Sequence, residues 1–486
     1  MTDVLVTAVL ALPVLAAAAF ALPRGPAGTA RLNAAAAVLV AALAGGLAAT
    51  AMLRGEPLMG SWYVVDRAAG VFLLVVAVVG LLSALASPSY LAGAERSFFV
   101  TRRPHVPYYA ALYLFWATLL AVPLVDNLAV AWLLIEATTA ASALLVASSG
   151  RRSALEAGWK YLVLTTLGLA VALLGIVALY ASIDGASLAA LDWTSIQAAA
   201  AGIGPDAALF ALVLILAGLA TKIGWAPVHN WLPDAHSEAP PPVSALLSAA
   251  LLPTVMLVAW RAQLTLEPAV GGTGSGVFLG FGLASLAVAI PFLWRTLPLK
   301  RLLAYSSLEH MGILALGIGF VHPLATAGVV LHVAGHALAK SLGFYAAIPL
   351  LRSDPALSSR PARALAARSP AAAAAVGVSL ASLSGLPPSP LFFSELLILL
   401  GGLAAGEPVV VIAAAVLLAL GFLGLVHALI EGVVSDRKPE PRRNRRTERR
   451  LGTLTLVVTV GLLALSAIAY TLPHTDLVRD LMGPLA

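Results

Sequence analysis

The sequence of 486 residues contains no cysteine. This absence excludes thiolate-bound iron–sulfur clusters, thiolate-bound nickel or zinc, and disulfides within the chain. Charged residues are also scarce, at 11% against about 25% in soluble domains. Hydrophobic residues reach 60%, which is more apolar surface than a soluble fold of this size could hide. The composition therefore indicates an integral membrane protein, for which lipid is the main solvent.

Apolar runs of about 17–25 residues, each long enough to cross about 30 Å of hydrocarbon, recur along the chain. We predict an all-α polytopic fold of about fourteen transmembrane helices. The first run, Val4 to Leu22, lacks a basic leader and is interpreted as a retained span. The predicted spans lie near residues 3–22, 33–53, 67–91, 108–124, 127–147, 158–181, 207–224, 242–260, 275–296, 300–319, 323–350, 371–403, 408–431 and 452–471.

Two of the predicted spans are interrupted by glycine and proline. The seventh runs into Gly224-Trp225-Ala226-Pro227, and the twelfth contains Ser384-Gly385-Leu386-Pro387-Pro388-Ser389-Pro390. Proline removes a backbone donor, and non-helical backbone at membrane depth survives only where protein or water surrounds it. Both breaks are therefore expected to face a polar interior.

The two breaks are five spans apart, which favours two inverted five-helix repeats, spans 4–8 and 9–13. The expected segments are an N-terminal three-helix segment at 1–107, repeats at 108–260 and 275–431, and a basic cytoplasmic loop with the last helix at 432–486.

Basic residues indicate the orientation of the spans. Most of the 29 lysines and arginines lie in loops that follow odd-numbered spans, including the run from Arg437 to Arg450. The positive-inside rule places these loops in the cytoplasm and both termini outside a prokaryotic inner (plasma) membrane. The net charge of +6 thus reflects cytoplasmic loops, and no nucleic-acid partner is predicted. The run at 437–450 is interpreted as a retention signal or a contact with lipid headgroups, with docking to an acidic partner as the second reading.

An acid and a base lie within the first predicted repeat. Glu136 follows Asp126 by ten residues, which places it about 15 Å down its helix and near the bilayer midplane. Lys222 lies just before the seventh-span break. Burial disfavours the charged form of either group, and an adjacent opposite charge restores it. A Glu136–Lys222 pair that forms and separates would therefore load and unload Lys222, whereas a static buried ion pair is the alternative.

The eleventh predicted span carries His332, His336 and Lys340 at i, i+4 and i+8. This spacing stacks the three side chains on one helix face. Histidine titrates near neutral pH, so the column favours proton relay, whereas histidines that only bond neighbouring helices are the alternative. Zinc is a weaker reading, because it needs a third ligand that the sequence does not identify, and no metal site is predicted.

Further ionisable residues occur in the tenth and twelfth spans. Glu395 is the only ionisable residue of the twelfth span, so it is a candidate terminal proton carrier on the outer side. His310 could link the histidine column to neighbouring water, although a packing role fits equally well. Glu309 precedes it and is a further candidate for the path.

Polar residues also follow the seventh-span break, near the expected cytoplasmic surface. His229, Asp234, His236 and Glu238 could form an entry funnel for protons, and a solvated polar loop explains them almost as well. Lys160 begins the sixth span on the same side. A snorkelling anchor is the favoured reading for it, with a reach into the polar interior as the alternative.

The same segments carry a family resemblance. The run from Thr221 to Leu247 resembles the signature of the antiporter-like proton-pumping subunits of respiratory complex I, within the complex I/Mrp superfamily, and so do Leu299–Ser307 and His336–Lys340. The likeness extends from residue 66 to 430 or thereabouts. Trp132–Ala140, Glu156–Leu162 and Ser307–Gly312 are most similar to membrane subunits of group 4 nickel–iron hydrogenases, of the hydrogenase-4 component F type.

The resemblance implies about fourteen helices with two inverted repeats. It also implies that Glu136, Lys222, Lys340 and Glu395 occupy the central proton-path positions of the family. One departure is evident, because complex I relatives usually carry a lysine in the eighth helix, where this chain has Leu251-Leu252-Pro253-Thr254. The bridge between the half-channels is then missing or replaced by water.

These observations predict a proton-translocating subunit of a complex I-like, hydrogenase-type oxidoreductase. Without thiolates or a nucleotide-binding glycine motif, the chain is expected to hold no cofactor of its own. Its partners would be other membrane and peripheral subunits and the lipid bilayer. An Mrp-like cation/proton antiporter subunit and the membrane subunit of a proton-driven inorganic-carbon uptake complex are the alternatives. A purely structural scaffold would leave the aligned histidines unexplained.

Overall fold

Long apolar helices form most of the structure, because a backbone that crosses lipid must satisfy its own hydrogen bonds. The computed structural model describes residues 2–22, 25–54, 56–92, 105–183, 187–361, 363, 365–434 and 445–482. A short antiparallel hairpin, β1 (Leu58–Met59) and β2 (Val64–Val65), precedes the third helix. The α-helices are α1 (Thr2–Ala19), α2 (Pro26–Leu53), α3 (Arg67–Leu91), α4 (His105–Ala121), α5 (Leu128–Val146), α6 (Arg152–Ala181), α7 (Trp193–Ala200), α8 (Pro205–Ile223), α9 (Leu232–Glu238), α10 (Pro241–Ala245), α11 (Leu252–Val270), α12 (Thr273–Leu293), α13 (Leu299–Gly319), α14 (Pro323–Ser353), α15 (Leu365–Arg368), α16 (Pro370–Leu383), α17 (Pro390–Ala404), α18 (Pro408–Leu429), α19 (Arg445–Ile468) and α20 (Asp476–Met482).

Within the described residues, 12 helical segments are long and apolar enough to cross a membrane. One of them combines α10, a π-helical turn at Leu246–Leu251 and α11. In addition, α4 lies where the fourth span is predicted, and the shorter α16 and α17 lie where the interrupted twelfth is predicted. An all-α polytopic membrane protein is therefore confirmed. The count of fourteen, the inverted repeats and the segment boundaries remain predictions.

Several helices extend beyond the apolar runs that predict them. The sixth begins at Arg152 rather than near residue 158, and the eighth continues to Val270 rather than ending near 260. Helical hydrogen bonding does not stop where hydrocarbon stops, so polar residues prolong a helix into the headgroup region. Residues 435–444 of the predicted basic loop lie outside the described part of the chain.

The most polar helices occupy the centre of the bundle. The most apolar stretch of α13 is completely buried, and so is that of the Pro241–Val270 segment. The corresponding stretch of α14 is almost completely buried. The outer helices α1, α18 and α19 bury less than a third of theirs. This arrangement is expected because an ionisable side chain that faces hydrocarbon has an unfavourable free energy, whereas one inside the bundle can bind polar partners.

Glycine allows α6 and α8 to pack very closely. A Cβ at Gly175 would lie 2.7 Å from the carbonyl oxygen of Ala211, and one at Gly218 would lie 2.6 Å from the carbonyl oxygen of Gly168. Small residues permit this approach of two helix backbones within a membrane. The close packing holds the C-terminal end of α8, and with it Lys222, against α6.

A buried ion pair joins α11 to the start of α3. Arg261 Nη2 lies 2.9 Å from each of the two carboxylate oxygens of Asp66. Arg261 is 3% exposed. Arg261 Nη1 also donates to the carbonyl oxygen of Pro123. The Asp66 carboxylate in turn caps α3 by accepting from the Ala69 amide. One guanidinium therefore fixes three chain segments at this end of the bundle.

Candidate functional site

Lys222 lies at the end of α8 in a fully buried network of hydroxyl groups. Its Nζ donates to Thr139 Oγ1 at 2.6 Å and to Tyr161 Oη at 2.5 Å. The Tyr161 hydroxyl lies 2.8 Å from Ser142 Oγ, and its ring centroid is 4.5 Å from Nζ. A hydroxyl can both accept and donate, so this network can solvate an ammonium group and pass a proton along it.

Glu136 is only partly buried, and it does not pair with Lys222. Thr166 Oγ1 donates to Glu136 Oε1 at 2.7 Å, while Glu136 Oε2 is buried without a hydrogen-bond partner among the described residues. Glu136 and Lys222 do not form an ion pair with each other in the described structure. The carboxylate still acts electrostatically on Lys222. Glu136 and Lys222 are therefore not in contact in this structure, and a pair that forms and separates stays a prediction.

The seventh-span break has a defined conformation. Gly224 ends α8 with φ 81°, a left-handed conformation that favours glycine. The Trp225 indole donates to the Met311 carbonyl at 2.8 Å, and the Trp231 indole donates to the Thr221 carbonyl at 2.6 Å. These bonds satisfy carbonyl oxygens around the break and tie it to α13. The chain then enters α9, which buries Leu232, Ala235 and His236 in the bundle and leaves Asp234 and Glu238 near the surface.

His236 on α9 is completely buried, unlike the entry-funnel residue that the sequence indicates. Its ring lies between those of Trp231, at 6.0 Å, and Phe344, at 6.1 Å. Neither ring nitrogen has a partner in the described structure. Burial lowers the pKa of His236 to about 3, and the charges of Lys340 and Lys300 act in the same direction. It is therefore neutral at physiological pH.

The other polar residues after the break remain near the surface. Asp234 pairs with Arg301 at 3.2 Å and with Lys160 at 3.5 Å. Lys160 also pairs with Glu156 at 2.6 Å, and its side chain is 46% exposed. It thus lies at the rim and does not extend into the interior. His229 is half-buried, and burial lowers its pKa.

Three histidines from two helices meet in the second half of the bundle. His310 Nδ1 on α13 lies 3.0 Å from His332 Nε2 on α14, and His332 Nδ1 lies 2.8 Å from Ser394 Oγ on α17. The His310 and His336 ring centroids are 5.0 Å apart. All three rings are fully buried, and both nitrogens of His336 have no hydrogen-bond partner among the described groups. His310 therefore joins the column that His332 and His336 form on α14.

Lys340 continues the column by one helical turn. Its Nζ donates to the Leu303 carbonyl at 2.6 Å and to Ser306 Oγ, both on α13. Nearby, Ser307 Oγ lies 2.7 Å from Ser248 Oγ. Ser248 belongs to the π-helical turn at Leu246–Leu251, a distortion that frequently marks functional sites.

Two carboxyl groups lie beside this column, one on α13 and one on α17. Glu309 on α13 is 3% exposed, and its Oε1 occupies the space that a side chain at Gly421 of α18 would fill. Glu395 on α17 is partly buried, and a Cβ at Gly385 would lie 2.7 Å from its Oε2. Glu309 interacts electrostatically with both Lys340 and Glu395. The Glu309 carboxyl group is therefore within electrostatic range of both the lysine and Glu395.

The histidine cluster also has the geometry of a set of metal ligands. One ring nitrogen from each of His310, His332 and His336 lies within 4.8 Å of the others. His310 is thus the third ligand that the sequence does not identify. Lys340 follows His336 by one helical turn on the same column, so a divalent cation at the cluster would have a cationic neighbour.

Sequence reasoning did not find the hydroxyl groups of the site. Tyr161, Thr139, Ser306 and Ser394 contact the ionisable residues directly. Thr139 follows Glu136 by one helical turn, so helical spacing could have indicated it. The others are separated from their partners by dozens of residues, and only the folded chain brings them together.

Comparison with known proteins gives a consistent result. The family model described as NADH:quinone oxidoreductase/Mrp antiporter, transmembrane, matches residues 125–421. A hydrogenase-4 component F homolog from Methylacidiphilum infernorum is 33% identical over 81% of this chain and 82% of that protein. NADH-quinone oxidoreductase subunit N of Desulforudis audaxviator is 31% identical over 85% and 82%. A chain of respiratory complex I from Thermus thermophilus shares the fold, with TM-score 0.81, 21% identity and coverage of 99% and 100%.

Proposed function

Because this chain belongs to the NADH:quinone oxidoreductase/Mrp antiporter transmembrane family, we propose that it translocates protons as a membrane subunit of a complex I-like oxidoreductase of the hydrogenase type. The observation that carries the proposal is the buried row in which His310, His332 and Ser394 are hydrogen-bonded beside His336 and Lys340. A charge or polar group inside the membrane is costly, so such a row implies a transport role.

In the first half of the path, Lys222 is the central proton carrier. Thr139 and Tyr161 stabilise its ammonium form, and Tyr161 links it to Ser142. Partly buried Glu136 acts on this charge from the outer surface of the bundle. When Glu136 approaches, the ammonium form is favoured, and when it withdraws, the proton is released. The structure, in which Glu136 does not contact Lys222, corresponds to the condition that favours proton release.

In the second half, Lys340 is the corresponding carrier. His236 and the Ser248–Ser307 pair lie between the two lysines and can be joined by water. Glu309 receives the proton from Lys340 and passes it toward Glu395. The three histidines offer a parallel relay toward Ser394, the residue before Glu395 on α17.

The redox reaction would take place in partner subunits of the complex. The partly buried position of Glu136 supports this, because a neighbouring subunit can change the charge around it from outside. We place the chain in a prokaryotic inner membrane with both termini outside. The ends of the odd-numbered spans support one shared side, since Ser89, Ser149, Ser237 and Arg352, at or after the ends of the third, fifth, seventh and eleventh spans, line a single cavity.

The test is redox-driven proton uptake by vesicles that contain the assembled complex. Glu136→Gln should abolish uptake while electron transfer continues at a reduced or uncoupled rate. Glu156→Gln, which changes an exposed carboxylate on the neighbouring helix, is the matched control and should pump normally. Normal pumping by Glu136→Gln would exclude the coupling role of this residue.

A second candidate is an Mrp-like cation/proton antiporter subunit. It is favoured by the unpartnered, buried Oε2 of Glu309 and the nearby Glu395 carboxyl group, since hard cations prefer oxygen ligands. Sodium-dependent counterflow of protons in vesicles, lost in Glu309→Gln, would support this reading. Pumping that is unaffected by sodium would exclude it.

A further inference from the structure

A basic cavity opens at the end of the bundle that carries the loops after odd-numbered spans. It has a volume of about 430 Å³ and is lined by Arg151, Lys300, Arg352 and a single carboxylate, Glu238. Arg151 pairs with Glu238 at 2.9 Å, so this acid is already neutralised. Among the described residues, Lys300 Nζ donates to the carbonyl oxygens of Ser237 and Ala239 and forms no ion pair. The cavity therefore has an excess of positive charge.

An apolar groove continues from this cavity along the surface of the bundle. Its volume is about 200 Å³, and it shares Ser89 and Ile348 with the cavity. Three helices that are far apart in the sequence form its walls. They contribute Leu82 and Leu85 from α3, Tyr345 from α14, and Leu451 and Leu454 from α19. Arg450 also lines it. The groove is thus a slot between membrane helices whose lining includes one basic group.

One arginine of the cavity and one of the groove have no partner among the described residues. Arg352, at the end of α14, and Arg450, near the start of α19, are exposed, and neither forms a hydrogen bond or ion pair with any residue that the structure describes. Neither guanidinium can lose its charge at physiological pH. A phosphate group suits guanidinium nitrogens, which offer paired donors in the geometry of its oxygens.

We propose that this cavity and groove form a binding site for one anionic phospholipid, with the phosphate headgroup at Arg352 and Arg450 and an acyl chain between α3, α14 and α19. The groove lies between three candidate membrane helices, and acyl chains are the most abundant apolar ligand around such helices. The excess positive charge selects an anionic headgroup over a zwitterionic one. The bound lipid would join α19, the last long helix, to the central α14.

Lipid retention by the purified full-length chain tests the proposal. Native mass spectrometry would be recorded after transfer from nanodiscs of phosphatidylglycerol and phosphatidylethanolamine. The wild type should keep one phosphatidylglycerol molecule. The double variant Arg352→Gln/Arg450→Gln should bind it about 30-fold more weakly, since each arginine near an anionic surface contributes about fivefold.

Three comparisons distinguish the lipid from other occupants. Arg54→Gln, an exposed arginine in the loop after the second span, should retain the lipid fully. Ala86→Phe, which fills the groove and keeps every arginine, should lose it. Inorganic phosphate at equal concentration should not raise the melting temperature, whereas phosphatidylglycerol should.

Equal retention by the wild type and the double arginine variant would overturn the proposal. Equal retention of phosphatidylethanolamine, or stabilisation by phosphate alone, would overturn it as well. If Ala86→Phe does not fold, the arginine variants decide the question, because their side chains are exposed and make no intramolecular bonds in the described structure.

Discussion

Replacing Tyr161 with Phe removes one hydroxyl group from the Lys222 network and leaves the rest of its surroundings in place. The aromatic ring remains 4.5 Å from Lys222 Nζ and 4.6 Å from the Trp231 ring. Ser142 keeps its hydrogen bond to the Thr138 carbonyl at 2.5 Å, so it is not left unsatisfied. The fold is therefore expected to persist, and the change acts on Lys222 directly.

The magnitude follows from the lost contact. A hydrogen bond to a charged group contributes about 1.5–3 kcal/mol, and Tyr161 supplies one of the two that Lys222 donates to side chains. Its removal should weaken proton binding at Lys222 about 10- to 100-fold. Proton uptake by vesicles would then need a proton concentration higher by that factor to reach half its maximal rate.

The assay is the initial rate of redox-driven proton uptake as a function of pH. Tyr180→Phe changes a tyrosine near the far end of the same helix and serves as the control, with an unaltered pH profile. If Tyr161→Phe showed the wild-type rate and the wild-type pH dependence, the hydroxyl network would have no part in loading Lys222.

Three further predictions concern stability and the path. Asp126 lies in the loop between α4 and α5, and burial raises its pKa to about 6. A carboxyl group whose pKa is higher in the folded than in the unfolded state makes the protein less stable as pH rises from about 4 through 6. Asp126→Asn removes this ionisation, so it should raise the melting temperature at pH 7.5 by the equivalent of about 1 kcal/mol. The same variant should have little effect at pH 4. Arg261→Met should destabilise the protein by about 3–5 kcal/mol in detergent unfolding experiments, since Asp66 loses its buried partner. Gly421→Ala should slow proton transport at least tenfold, because the new methyl group overlaps the Glu309 carboxylate and displaces it.

Each of these changes has a contrary result that would exclude its reasoning. Equal stabilisation by Asp126→Asn at both pH values would mean that ionisation is not the cause. A melting temperature of Arg261→Met equal to that of the wild type would mean that the ion pair is not structural. Gly377→Ala is the control for the glycine change, since a Cβ there meets nothing within 4 Å; equal transport by both alanine variants would remove Glu309 from the path.

The sequence alone determined the features that depend on nearby residues. Composition and apolar runs established an all-α membrane protein, because the thickness of hydrocarbon sets the length of a helix that crosses it. The breaks at Gly224 and Pro387 were readable from local backbone chemistry. The alignment of His332, His336 and Lys340 followed from the helical period, and the motif around Lys222 indicated the family.

The tertiary structure decided which distant residues meet. Whether Glu136 touches Lys222, which tyrosine solvates that lysine, and whether His310 joins the α14 column depend on how separate helices pack, and no local pattern encodes those distances. The burial of His236 is of the same kind, since α9 is short and polar enough to be taken for a surface loop. Side-chain period is a property of one helix, whereas a proton path or a lipid groove is a property of the space between several.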